Sequence, residues 1–308
     1  MTIPDLLKGR LSVPVIAAPL FLISNPDLVV ETCRAGVVGT FPTLNQRTTE
    51  GYEAWLNDIE TRLTRADAPF GVNLIVGKGN DRLEGDLAVT VAHEVPIVIT
   101  SLGIDEAVIR AVQAYGGLVF HDITTIRHAR KAAAAGVDGI IAVAAGAGGH
   151  AGAKSPFALA AEIREFFDGA LIVAGAINTG RQVAAARLMG ADLAYIGTRF
   201  IATQEAQADP EYKQMLLESS ADDIVYTPAI SGMNANFLRN SIIRAGLDPD
   251  APSAEAGRGG NAGDIAKAWK HVWSAGQGVG TISDICTASE LCARLVSEYR
   301  SAARVLAA

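Results

Sequence analysis

Short apolar runs alternate with helical patterns along the first two thirds of the chain. The runs are apolar at successive positions and rich in β-branched residues, which indicates strands buried on both faces. Eight runs are predicted as strands, at residues 13–19, 37–40, 70–76, 95–101, 117–122, 137–144, 170–175 and 191–198. Strict alternation with helices implies a parallel sheet, and eight units favour closure into a TIM-type (β/α)8 barrel.

Helix boundary signals separate these runs. Asn25 and Pro26 form an N-cap and first helical residue, and Gly36 follows the end of the same predicted helix. Thr179 precedes an alanine-rich helix that Gly190 closes. These signals support the alternation of strands and helices.

The alternation stops after the eighth predicted strand. Residues 204–284 are polar and irregular and include a glycine-rich stretch at 255–263, and a last helical pattern covers 286–306. We therefore expect a barrel made of residues 1–203 and 285–308 and a smaller, mostly helical inserted domain at 204–284. Because barrel active sites lie at the carboxyl ends of the strands, we expect the insertion to cover the site and the last helix to complete the barrel.

A glycine-rich loop with one histidine follows the sixth predicted strand. Four glycines between residues 144 and 152 surround His150. Glycine lets backbone N–H groups approach a ligand closely, and imidazole is the one reactive side chain in the loop. The pattern favours a ligand site, and a flexible connector with an incidental histidine is the alternative.

Other predicted strand ends carry candidate site residues. Strands seven and eight end at Gly175 and Gly197, the positions where barrels commonly bind phosphate, although both glycines can also serve tight turns. Asn73 places an amide in an apolar run and needs a hydrogen-bond partner, which a flavin ring or substrate can supply. His121 closes strand five, and strand alternation leaves its orientation open. The stretch 273–280 indicates either a pocket wall or a plain turn.

Composition narrows the ligand class. The 308 residues are 49% hydrophobic and 19% charged, with a net charge of -7 that argues against nucleic acid and anionic membranes as partners. The three cysteines have no metal-site or disulfide spacing, and no signal peptide or membrane span is evident, so we expect a cytoplasmic protein without a metal. No predicted strand contains a lysine for Schiff-base chemistry. Small-molecule ligands remain, and a homo-oligomer is compatible with the sequence.

Several segments together resemble the nitronate monooxygenase family, formerly called 2-nitropropane dioxygenases. They are VIAAPL at 15–20, FGVN at 70–73, AGGHAG at 147–152, GAD at 190–192 with GTRF at 197–200, and WSAGQ at 273–277. Flavin-dependent enoyl-ACP reductases and NADH:quinone reductases of the same superfamily share part of this pattern. The resemblance implies an FMN-containing TIM barrel with a small second domain.

The resemblance also implies roles for individual residues. His150 is the implied catalytic or substrate-orienting residue. The implied flavin-ring contacts are Ala17, Ala18, Pro19, Asn73 and Gly148. The implied phosphate contacts are Ala174, Gly175, Ala176, Gly197 and Thr198. Candidates for substrate contact are Gly149, His121, Ser274 and Gln277.

Some positions depart from the family pattern. Relatives often have Gly-Gly-Met where this chain has Ala18-Pro19-Leu20, and a glycine pair where it has Ala174-Gly175-Ala176. Some relatives carry lysine at the position of Asp122 and aspartate at that of Val143. These changes affect the polar contacts of the flavin.

The expected activity is FMN-dependent oxidation of alkyl nitronates by O2 to a carbonyl compound and nitrite. One alternative is an NAD(P)H-dependent flavin reductase that acts on an enoyl thioester or a quinone. Another is a flavin- or ligand-binding barrel without turnover, which the histidine on the glycine-rich loop disfavours.

Overall fold

Eight parallel strands close into a barrel in the computed structural model, which describes residues 3–77, 79–250 and 271–306. The barrel strands are β1 (Val15–Ala17), β2 (Val38–Pro42), β3 (Gly71–Ile75), β4 (Ile97–Ser101), β5 (Leu118–Ile123), β6 (Gly139–Val143), β8 (Ala170–Ala174) and β9 (Leu193–Ile196). Closure is made where β9 pairs with β1 in parallel, with Tyr195 opposite Ile16. The predicted TIM barrel and all eight predicted strands are confirmed.

Helices on the outside of the barrel follow the strands. They are α1 (Pro26–Arg34), α2 (Thr49–Arg62), α3 (Leu83–Ala92), α4 (Glu106–Ala114), α5 (Ile126–Ala134), α6 (Pro156–Arg164), α7 (Gly180–Leu188) and the C-terminal helix (Ala288–Leu306). Asn25 caps α1 by accepting the amide hydrogen of Leu28 at 2.8 Å, and Gly36 ends that helix with a φ of 79°. Thr179 caps α7 in the same way. The predicted helix boundaries are confirmed.

The C-terminal helix lies against α7 and α1, as expected of the helix that completes the barrel. Its backbone comes so close to α7 that a Cβ added at Gly180 would lie 2.2 Å from the carbonyl oxygen of Leu295. Glycine at this position therefore permits the two helices to touch. Within the described ranges, no helix combines the length and the apolar character that crossing a membrane requires.

Side chains along each barrel strand alternate between the barrel interior and the surrounding helix layer. Ile97 and Ile99 of β4 pack in the interior cluster, whereas Val98 between them packs in the outer one. The same alternation places Phe120 of β5 inside and Val119 outside. Side-chain direction repeats every two residues along a strand. The position of a residue in this alternation therefore decides whether its side chain can reach a ligand at the mouth of the barrel.

A small antiparallel sheet lies beyond the barrel. Its order is β10 (Ile224–Thr227), β11 (Ala235–Leu238) and β7 (Gly149–His150), so the glycine-rich loop after β6 supplies one of its strands. The same part of the chain contains the helices α8 (Thr198–Ile201), α9 (Pro210–Glu218) and α10 (Arg239–Arg244).

The sequence patterns did not reveal this sheet, because its strands have two to four residues and pair with a segment distant along the chain. The expectation of a mostly helical insertion therefore omitted an element that contacts the barrel loop. The glycine-rich stretch at 255–263 lies outside the described residues. The boundaries of the inserted domain at 204 and 284 stay a prediction.

Candidate active site

A cavity of about 1360 Å³ opens at the carboxyl ends of the barrel strands. Barrel loops, the small sheet and the segment before the C-terminal helix all contribute to its wall. The wall is mainly apolar and includes a few polar groups, which is typical of a small-molecule site. The predicted site residues that line it are Ala18, Pro19, Asn73, His121, Gly148, Gly149, His150, Ala174, Gly175, Ala176, Gly197, Thr198 and Ser274.

Two predicted site residues do not line the cavity. Ala17 lies on β1 with its side chain in the outer cluster, because Ile16 takes the interior position. Gln277 has an exposed side chain, and its backbone N–H donates to the carbonyl oxygen of Gly146 at 2.9 Å. The alternation of β1 and the turn at Gln277 are the physical reasons why these side chains lie away from the cavity wall. The predicted flavin contact of Ala17 and substrate contact of Gln277 stay predictions.

The glycine-rich loop crosses the segment before the C-terminal helix at very short range. A Cβ added at Gly148 would lie 2.8 Å from the backbone nitrogen of Gly276 and 2.9 Å from the Oγ1 of Thr198. The N–H of Gly276 donates to that same Oγ1 at 2.9 Å. Gly148 is therefore required by contact between two loops, whatever ligand the cavity takes.

His150 is held in place by the small sheet. It lies on β7 opposite Ala235, and the neighbouring Asn236 donates from Nδ2 to the carbonyl oxygen of Ala147 at 2.7 Å. The hydroxyl of Tyr226 donates to the carbonyl oxygen of Ala151 at 3.1 Å. Gly149 and His150 are thus a strand of the small sheet, and the loop around them is tied to that sheet by side-chain hydrogen bonds. Burial lowers the pKa of His150, which favours a neutral imidazole that can accept a proton.

The ends of β8 and β9 present backbone without large side chains. Gly175 has a φ of 138°, and a Cβ there would lie 2.7 Å from the carbonyl oxygen of Ala145. At Gly197, by contrast, the nearest atom to an added Cβ is the Cδ2 of Leu20 at 3.4 Å. The space beside Gly197 is therefore open toward the cavity. These neighbouring strand ends fit a phosphate group, which backbone N–H groups bind well.

A row of polar side chains crosses the interior side of the barrel mouth. Asn73 donates from Nδ2 to the carbonyl oxygen of Ile99 at 3.1 Å and to the Oγ of Ser101 at 2.7 Å. Ser101 in turn donates to the Oδ2 of Asp122 at 2.6 Å. Burial raises the pKa of Asp122 to about 6, partly offset by the hydrogen bond from Ser101. Asn73 thus finds partners within the protein, where the sequence suggested a ligand.

Sequence reasoning singled out Asn73 in this row and gave Ser101 and the nearby Tyr195 no role. Burial raises the pKa of Tyr195 well above its usual value, and the carboxylate of Asp122 adds to the effect. The inward and outward alternation of side chains along a strand would have identified both residues. Each is polar and occupies an interior position near the end of its strand.

His121 takes the opposite side of β5. Its Nδ1 shares a hydrogen bond of 2.7 Å with the Oγ1 of Thr100, and burial lowers the pKa of the imidazole to about 4. The residue is on the helix side of the strand, as Val119 is, and it also contributes to the wall of the cavity. A substrate contact by His121 stays a prediction.

The roof of the cavity contains a three-layer stack. The rings of Trp273 and Tyr212 are parallel within 7°, with centroids 4.8 Å apart. The guanidinium of Arg244 lies 3.3 Å from the centre of the Trp273 ring. Trp273 and Ser274 both line the cavity, so the stretch around them forms a pocket wall.

The sequence model of the nitronate monooxygenase family matches residues 6–298. The chain belongs to this family. Its members are oxidoreductases, and flavin dependence is general among them. The family match spans the barrel, the cavity wall and the segment that forms the roof.

Individual relatives are similar at a moderate level. A nitronate monooxygenase from Paraburkholderia phytofirmans is 28% identical over 307 residues, which cover 82% of this chain and 83% of that protein. A solved nitroalkane oxidase from Streptomyces ansochromogenes is 27% identical with a TM-score of 0.85, covering 98% of this chain and 100% of that one.

A third relative is longer than this chain. It is the (3aS,4S,5R,7aS)-5-hydroxy-7a-methyl-1-oxo-octahydro-1H-indene-4-carboxyl-CoA dehydrogenase of Rhodococcus jostii, 28% identical over 232 residues. The alignment covers 75% of this chain and 64% of that protein, so the chain spans less than two thirds of that relative.

The cavity fits a flavin. Gly197 leaves open space at the end of β9 beside Gly175 at the end of β8, and the residues Ala18 and Pro19 line the cavity without charged or hydrogen-bonding side chains. The polar row that begins at Asn73 can meet the heteroatoms of such a ring.

Proposed function

We propose that the protein binds FMN and oxidises alkyl nitronates with O2 to a carbonyl compound and nitrite. The observation that carries the proposal is the position of His150, which is held by a strand pairing at the wall of a cavity that glycines at the ends of β8 and β9 also line. Family membership supplies the reaction class.

Different residues of the chain would bind the phosphate and the ring of the flavin. Gly175, Ala176, Gly197 and Thr198 would hold the phosphate, and Ala18 and Pro19 would border the ring. FMN, when bound, supplies the electron acceptor that links the oxidation of the substrate to O2. A single phosphate site of this kind suits a mononucleotide better than a dinucleotide.

His150 is the residue that we assign to the substrate. With a nitronate, the imidazole orients the anion by a hydrogen bond. With a neutral nitroalkane, its unprotonated nitrogen takes the α-proton, and the lowered pKa keeps that nitrogen available at neutral pH. Trp273 and Ser274 line the same cavity as His150.

A second candidate is an NAD(P)H-dependent flavin reductase that acts on a thioester. The name of the Rhodococcus relative, a carboxyl-CoA dehydrogenase, supports a thioester as the class of substrate in this candidate and leaves its reductant to experiment. The two candidates differ in the molecule that reduces the flavin.

Anaerobic mixing separates them. We expect the purified protein to be yellow, to release FMN on denaturation, and to lose its flavin absorbance with an alkyl nitronate but not with NADH or NADPH. Admission of O2 should restore the colour and yield nitrite. Rapid bleaching by NADH or NADPH with no response to nitronate supports the reductase instead. A colourless protein that takes up no FMN refutes both.

A further inference from the structure

The polar row at the barrel mouth consists of Asn73, Ser101 and Asp122. Their hydrogen bonds determine which side-chain atoms donate and which accept. The carbonyl oxygen of Ile99 can only accept, so the amide group of Asn73 must present its nitrogen to it. That same nitrogen donates to the Oγ of Ser101, which leaves the hydroxyl hydrogen of Ser101 for the Oδ2 of Asp122. Oδ2 is therefore an acceptor, and a neutral Asp122 carries its proton on Oδ1.

No arginine or lysine pairs with Asp122 in the described part of the chain. Val143 is an interior residue of the adjacent strand β6, and Tyr195 on β9 is close enough that the charge of Asp122 raises its pKa. His150 lines the same cavity. The charged side chains of Lys131 and Lys154 line the outer margin of the cavity and are exposed, whereas His121 and His128 lie on the helix side. Among the residues that the structure describes, an ionised Asp122 would thus have no cationic partner at the cavity wall.

We propose that Asp122 takes up one proton from solvent when an anion of the nitronate or nitrite type enters the cavity. An anion and a carboxylate on one partly desolvated floor repel each other, whereas the neutral carboxyl group can donate a hydrogen bond from Oδ1 to the anion. No covalent bond forms or breaks, and the proton returns to solvent when the anion leaves. The choice of anion rests on the proposed function.

The electrostatics of the site support this coupling. Burial raises the pKa of Asp122 to about 6, so the carboxyl group is within reach of protonation near neutral pH. An entering anion raises that pKa further, and by linkage a higher proton concentration strengthens anion binding.

Nitrite binding to the oxidised, FMN-loaded protein tests the proposal without turnover. Nitrite is an anion throughout the range from pH 5 to 9, and the shift in flavin absorbance reports its binding. We expect the affinity of the wild type to fall about tenfold for each pH unit above the pKa of Asp122, with one proton taken up per nitrite bound. Calorimetry in buffers of different ionisation enthalpy measures that proton.

Three variants separate Asp122 from its neighbours. Asp122→Asn should bind nitrite with no pH dependence in this range, and His150→Asn should keep the wild-type slope. Ser101→Ala removes a hydrogen bond that lowers the pKa of Asp122, so the midpoint of the pH dependence should move to higher pH.

Several outcomes overturn the proposal. They are a slope retained in Asp122→Asn, a slope lost only in His150→Asn, an unmoved midpoint in Ser101→Ala, or no nitrite binding at any pH. The assay needs no turnover, so it separates this proposal from the proposed function. If the protein takes up one proton on binding nitrite but does not oxidise nitronates, the proposed function is refuted and the role of Asp122 is retained.

Discussion

His121 and Asp122 are neighbours on β5 and lie on opposite sides of the barrel wall. The imidazole shares a hydrogen bond of 2.7 Å with the Oγ1 of Thr100, and the carboxyl group accepts the hydroxyl hydrogen of Ser101 at 2.6 Å. Burial favours the neutral form of both side chains. It lowers the pKa of His121 to about 4 and raises the pKa of Asp122 to about 6. The two adjacent residues therefore make the free energy of unfolding depend on pH in opposite directions.

Asp122→Asn should make the ligand-free protein more stable at pH 8 than the wild type. The pKa of Asp122 rises from 3.8 when unfolded to about 6 when folded, so the wild type loses stability as pH rises through that window. The loss is at most about 3 kcal/mol and smaller where water reaches the carboxyl group. Urea unfolding between pH 4 and 8 measures it.

His121→Gln is the matched control for this measurement. The pKa of His121 falls from 6.5 to about 4 on folding, so its contribution is lost as pH falls through that range, the opposite direction. The glutamine variant should therefore remove part of the acid sensitivity of the wild type. Equal pH profiles for the wild type and both variants would contradict the burial of these groups.

Gly197→Ala should weaken FMN retention while the unloaded protein keeps its stability. An added Cβ meets no protein atom closer than 3.4 Å, so a loss of flavin comes from collision with the cofactor. We expect a fall in FMN affinity of about tenfold or more, equivalent to about 1.4 kcal/mol. Fluorescence titration with FMN and thermal unfolding of the unloaded protein measure the two effects.

Gly175→Ala is the comparison for that prediction. Its φ of 138° and its contact of 2.7 Å with the carbonyl oxygen of Ala145 mean that this variant should lose stability even without flavin. If Gly197→Ala binds FMN as the wild type does, the phosphate lies elsewhere.

His150→Asn should separate proton abstraction from substrate orientation. The amide can donate a hydrogen bond but cannot accept the α-proton at neutral pH, so turnover of the neutral nitroalkane should fall more than that of the pre-ionised nitronate. The ratio of the two activities should drop about 10²–10⁴-fold. If both activities fall and their ratio stays constant, His150 only orients the substrate. If the variant keeps wild-type rates on both substrates, His150 has no part in the mechanism.

Asn236→Ala should loosen the loop that carries His150. Its amide nitrogen donates to the carbonyl oxygen of Ala147 at 2.7 Å in a buried position, and loss of this bond costs about 1–3 kcal/mol. Hydrogen exchange at residues 147–152 should become faster, with exchange of the barrel strands unchanged. Unaltered exchange in this loop would show that β7 pairing alone holds it.

Local sequence signals determined the barrel and most of the predicted residues that line its cavity. The eight apolar runs, the Asn25 and Thr179 caps and the glycines that end helices all depend on neighbours within a few residues, so pattern and propensity were sufficient. The glycines at the ends of β8 and β9 and His150 were found for the same reason, because parallel strands bring their carboxyl ends together.

Tertiary structure decided how those residues are arranged. The pairing of His150 with Ala235 joins positions far apart in the chain, and two-residue and four-residue strands give too weak a pattern to predict it. The hydrogen bonds from Asn73 through Ser101 to Asp122 likewise depend on the register of three strands. A shift of one residue would turn Asp122 outward and His121 inward, so only the closed barrel determines which of them faces the barrel interior.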